Sequence, residues 1–158
     1  MAAADGPTEA EALEELLERI VEALALEATV EVVEVDGELR GTLHGEDLGL
    51  FIGRHGQTID AVQHLAQRTV ANVAGELRRV TVDAAGYRAR RQEALEGQAA
   101  DAAEEAVRTG RPVHLDAMTA SERRLVHEHL RDRGDVETHS EGDEPDRHLV
   151  VAPRSADA

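Results

Sequence analysis

Cysteine is absent from the 158 residues, which removes disulfides, thiolate nucleophiles and cysteine-ligated zinc or iron–sulfur centres together. Lysine is absent as well, so all 17 cations are arginine, a bias to which we attach no functional meaning. Phe51 and Tyr87 are the only aromatic residues. Sheets and barrels that bind nucleic acid by stacking bases need several aromatic side chains, and the chain has no material for such a platform. No run approaches the ~18 consecutive apolar residues of a membrane span, and residues 1–7 lack the basic and apolar regions of a secretory signal. A cytoplasmic location is therefore expected. There is no P-loop, no Gly-x-Ser-x-Gly elbow, no His-Glu-x-x-His and no recognisable nucleophile–base pair. No catalytic residue, cofactor or metal ligand is expected. Of the eight histidines, His127 and His129 lie about 200° apart around a helix and cannot easily share one ion.

What is present is charge, unevenly spread. The net charge of −16 argues against a polyanion partner at first sight. Residues 1–49 carry −12 and residues 93–158 carry −8, whereas residues 50–92 carry +4. A cationic groove acts over roughly 8 Å at physiological salt, so this one basic segment can work beside distant acidic faces. Nucleic-acid affinity is then expected to be modest and salt-sensitive.

That segment contains Gly53-Arg54-His55-Gly56, where an apolar run breaks on two glycines three apart and helical spacing resumes. Two glycines permit a tight turn that leaves N–H groups and Arg54 open to an anionic chain beside a helix start. A plain helix-to-helix turn is the competing reading. Gln57 and Thr58 open the next helix, and Arg78 and Arg79 follow on the next strand.

The rest of the chain gives the loop a setting. Thr8 and Glu11 form a capping box for an amphipathic helix through Leu13, Leu16, Leu17, Ile20, Val21 and Leu24 to about Ala28. Its glutamates read as a solvated face, with a basic partner as the lesser alternative. A loosely alternating, β-branched run at residues 29–35 and a returning strand at residues 38–43 flank Asp36-Gly37 as a hairpin. A short helix or turn at residues 48–52 leads to Gly53, a longer helix runs to about Gly75, and residues 77–83 form a third strand. The order helix, strand, strand, helix, Gly-x-x-Gly, helix, strand matches a type II K-homology (KH) domain. Such a loop clamps about four nucleotides by their backbone, so stacking aromatics are not required.

From Tyr87 a long helix runs to Gly110, followed by a strand at residues 112–115, a helix from about Ala120 to Arg131 capped by Thr119 or Ser121, and strands at 135–140 and 148–151. On the second of these helices Arg123, His127 and Arg131 recur every four residues as a stripe of donors, and Arg124 is placed to pair with Glu128. A surface helix with ordinary charge pairs is the plainer reading of that stripe.

The succession of residues 51–63, 82–91, 118–127 and 136–142 resembles the Jag family, the bacterial SpoIIIJ-associated or KhpB-type proteins. The resemblance extends over roughly residues 8–153. It implies an α+β chain of two small domains, a type II KH domain (α-β-β-α-α-β) at 8–86 and an R-three-H domain at 87–153 with helices against a three-stranded sheet, between disordered tails at 1–7 and 154–158. It places Gly53, Arg54, His55 and Gly56 on the phosphate-clamping loop and Arg123 and His127 on the Arg-x-x-x-His pair.

Single-stranded RNA or DNA is the implied ligand. Regulation of bound transcripts, a small stand-alone KH protein as heterodimer partner and a link to cell-envelope growth or division are implied roles. A protein-interaction adaptor with weak nucleic-acid contact is the rival. Two departures stand out: no separate N-terminal Jag domain is recognised, so functions resting on it are not carried over, and His55 replaces a common second basic residue. Binding that strengthens as pH falls through histidine's ordinary ~6.5 would follow from the latter.

Overall fold

The computed structural model describes residues 6–154, and the expected tails lie almost wholly outside them. The chain divides into two compact units, with the boundary between Arg88 and Ala89.

The first unit begins with α1 (Glu9–Ala23), whose Thr8/Glu11 capping box forms as expected. The helix ends five residues before the expected position. Ala25 takes a left-handed conformation (φ 52°), and the N–H groups of Ala25 and Leu26 turn back to the carbonyls of Glu22 and Val21. This closure normally announces itself by a glycine, and an alanine gave no such signal. The released residues start β1 (Ala28–Val35), which returns through Asp36-Gly37, both at positive φ, into β2 (Glu38–Gly45). Positive φ at both positions is the two-residue turn whose twist suits a hairpin.

The chain then forms α2 (Gly49–Ile52), a 3₁₀ turn (Arg54–Gly56), α3 (Gln57–Ala74) and β3 (Arg79–Ala84). The third strand starts two residues later than expected, and Leu77 before it is 88% exposed. The sheet order is β1-β2-β3, antiparallel then parallel, so α2, the loop and α3 make the crossover between the parallel pair. Helices α1, α2 and α3 contribute Leu13 and Leu17, Phe51, and Ile59, Ala66 and Val70 to a core with Leu39, Leu43 and Val82 of the sheet. Gly41 lets α1 approach, since a Cβ there would stand 2.5 Å from Leu17 Cδ1.

The second unit takes most of α4 (Tyr87–Thr109), then β4 (Val113–His114), α5 (Ala120–Leu130), β5 (Val136–Glu141) and β6 (His148–Pro153). Thr119, not Ser121, caps α5 and completes a second capping box with Glu122. The sheet order is β4-β6-β5, antiparallel throughout. Ala99, Ala102, Ala103 and Ala106 of α4 pack with Val126, Leu130, Leu149 and Val151, and such small side chains let a helix approach its neighbours closely. The protein is thus α+β with two small three-stranded sheets. Among the described residues no helix is long and apolar enough to cross a membrane.

Candidate nucleic-acid interface

The loop owes its shape to positions that few side chains tolerate. Gly53 ends α2 at φ 73°, ψ 176°, a region that only glycine adopts readily. A Cβ on Gly53 would lie 2.1 Å from Thr58 Oγ1 and 2.8 Å from the Thr58 nitrogen. His55 (φ 54°) and Gly56 (φ 76°) are also left-handed, and the Gly56 N–H closes on the Gly53 carbonyl at 3.2 Å. Gly56 is buried under Tyr87, whose hydroxyl would stand 2.8 Å from an added Cβ. The chain therefore turns within four residues and enters α3 with no side-chain cap. The Gln57 N–H closes on the Arg54 carbonyl, and the 18-residue helix starts where its dipole is positive and favours an anion.

Arg54 is exposed and His55 half-buried, and among the described residues neither side chain has a hydrogen-bond or ion-pair partner. Gln57 is exposed and Thr58 half-buried in the same turn. The one acid of that turn, Asp60, is held 3.0 Å from Arg88. Arg88 also donates to the Val82 carbonyl at 2.8 Å and to Gln63 Oε1 at 2.9 Å, and Gln63 Oε1 accepts from the Val82 N–H. This latch joins α3 to β3 and draws the Asp60 charge to Arg88. Sequence reasoning missed it, since Arg88 follows Asp60 by 28 residues and no local spacing links them.

Arg78 and Arg79 are not gathered at the loop. They lie beyond the other end of α3, which rises ~27 Å over its length. Arg78 is closed between Glu9 (2.6 Å) and Glu34 (3.0 Å), and Arg79 stands 3.9 Å from Glu38. Much of the positive excess read from residues 50–92 is thus neutralised inside the protein. Arg54 and Arg68 are the members of that group without a partner among the described residues.

In the second unit Arg123 and His127 share a recess of about 430 Å³ with Arg124, Thr138, Ser140 and Arg147. Most of its polar groups are already engaged. Arg123 is 11% exposed, donates to the Met118 carbonyl at 2.7 Å and pairs with Glu144 at 2.9 Å. His127 Nδ1 bonds the Thr138 hydroxyl, Arg124 pairs with Glu128 at 3.0 Å, and Arg147 donates to the Gly142 carbonyl at 2.8 Å. Arg131 is exposed at the C-cap of α5 and does not line the recess. The sequence stripe therefore contributes two of its three members, and Arg147 joins them from the turn before β6 with no sequence signal to announce it.

Comparison with known proteins adds an independent line. The profile of the KhpA/KhpB KH domain matches residues 10–83, and that of the R-three-H domain matches residues 93–153. The chain is 38% identical over 140 residues to the RNA-binding protein KhpB of Clostridium symbiosum, covering 87% of this chain and 63% of that protein. It is 35% identical over 138 residues to the protein of the same name from Bacillus subtilis, covering 86% and 66% respectively. A third, from Lactiplantibacillus plantarum, is 42% identical over 106 residues, 67% of this chain and 33% of that protein. The chain spans a little under two thirds of the length of the first two relatives.

Proposed function

The chain belongs to the KhpB (Jag) family, a KH domain followed by an R-three-H domain, and from that premise we propose that it binds single-stranded RNA through the Gly53–Gly56 loop, without catalysis. One observation carries the reading. Two glycines at positive φ set Arg54, which has no partner among the described residues, beside the start of α3, where a cation and the positive end of the helix dipole both favour a phosphate. The Arg123/His127 recess is the second contact surface. Regulation of bound transcripts in the cytoplasm, a link to cell-envelope growth or division, and pairing with a small stand-alone KH protein complete the proposal.

The test is equilibrium binding of a short single-stranded RNA across salt. Gly53→Asp with Gly56→Asp places like charge in the clamp and forces side chains onto glycine-only backbone, so a loss of at least about tenfold is expected. Arg54→Ala, which leaves the backbone intact, should lower the salt slope by about 0.7, the release expected from one phosphate contact. Affinity and slope unchanged in both variants would overturn the reading and favour the adaptor role.

A further inference from the structure

The outer face of the second sheet carries a cluster that the proposed RNA contacts do not use. In the registers of β4, β6 and β5, His114 and His139 both stand opposite Val150, and Glu141 stands opposite His148. Alternate residues of a strand share a face, so His114, His139, Glu141 and His148 all project from one side. Leu149 and Val151 belong to the other side, in the core.

The atoms converge. Nδ1 of His114 lies 3.0 Å from Nε2 of His148 and 3.9 Å from Oε2 of Glu141, and all three ligand atoms fall within 4.8 Å of one another. The groups behind them fix their direction. His148 Nδ1 stands 3.3 Å from the Asp146 carbonyl, which can only accept, so the proton sits on Nδ1 and the lone pair of Nε2 faces the cluster. His114 Nδ1 then supplies the proton of the contact between the two rings. The other oxygen of Glu141 accepts from His139 Nε2 at 2.8 Å, leaving Oε2 toward His114.

We propose that His114, His148 and Glu141 form a binding site for a divalent first-row transition ion such as zinc, with His139 as the outer partner that orients the carboxylate. Two imidazoles and one carboxylate are the donor set such ions take, and metal-binding groups are characteristically held by a second hydrogen bond of this kind. Ligands at 2.0–2.2 Å from a tetrahedral ion stand about 3.3–3.6 Å apart, so the two nitrogens at 3.0 Å open by a few tenths of an ångström and Glu141 Oε2, 3.9 Å from His114 Nδ1, swings inward. On binding, His114 gives up the Nδ1 proton and takes one from water on Nε2, becoming the opposite tautomer. His114 and Glu141 are about half exposed, which leaves coordination positions to water. The ion would tie all three strands together.

The test uses the full chain without a polyhistidine tag, stripped of metal by chelation. Zinc titration by calorimetry should give one ion per chain, and cobalt should give visible d–d absorption. In the native protein, zinc should move the imidazole NMR signals of His114 and His148 while those of His44, which pairs with Glu31 on the first unit, stay fixed. His148→Asn and Glu141→Gln should weaken zinc at least about tenfold, and His139→Asn by about 10–100-fold, with metal-free circular dichroism unchanged. Absence of saturable binding at submillimolar zinc, movement of His44 instead of His114 and His148, or an unchanged affinity in folded His148→Asn would each overturn the proposal.

Discussion

The two units present their polar groups in opposite conditions. At the first, a turn shaped by glycine sets the positive end of α3 beside Arg54, which has no partner among the described residues. At the second, Arg123, Arg124, His127 and Arg147 converge on one recess but are held by Met118, Glu128, Thr138 and Gly142 of their own unit. A ligand must displace or share those bonds at the second, whereas at the first it meets an arginine that no described residue holds. Charge density in the sequence is therefore a poor guide to affinity here. The arginine-rich recess is built first as structure, and the loop with one free arginine is expected to carry most of the binding.

That contrast orders the expected outcomes. Gly53→Ala alone should cost most, because a left-handed, Thr58-crowded position stores roughly 1–3 kcal/mol of strain for any other residue. RNA affinity should fall by about tenfold, as read by fluorescence anisotropy, with the melting of the second unit unmoved. Arg123→Ala should do the reverse. Loss of a nearly buried charged donor to the Met118 carbonyl lowers stability by about 1.5–3 kcal/mol in urea unfolding, with RNA affinity changed by less than about threefold. A larger binding loss than stability loss at Arg123 would place the ligand in the recess.

Between the two capping boxes the expected effects are smaller. The Thr8 backbone N–H, followed by its hydroxyl, holds the Glu11 carboxyl below its ordinary 4.5. A depressed carboxylate contributes stability that is present above the ordinary value and is lost as pH falls through the folded one. Urea midpoints of the native chain should decline below about pH 4.5, and Glu11→Gln should make that decline shallower.

Much of the first unit was legible because its signals are local. Thr8/Glu11, Asp36-Gly37 and the Gly53/Gly56 pair each determine backbone within four residues, and each formed as read. The end of α1 was not legible, since Ala25 occupies a place where glycine usually marks the turn. Nor were the partners of the arginines. Arg78 finds Glu34 across 44 residues, and Arg88 finds Asp60 across 28, through a parallel crossover that fixes them only after folding. The histidine cluster shows the same limit, since its three ligands come from three strands and no single-helix spacing reports them. The site residues most readable from sequence are those whose chemistry is backbone, and the least readable are those whose charge is spent on a distant partner.

The most direct measurement of where RNA sits is the change in backbone amide NMR signals of the ¹⁵N-labelled full chain on adding a short single-stranded RNA. The largest shifts are expected on Gly53–Thr58, with smaller ones around Arg123 and Thr138. Shifts confined to residues 120–149, with the loop amides unmoved, would contradict a backbone clamp at the loop.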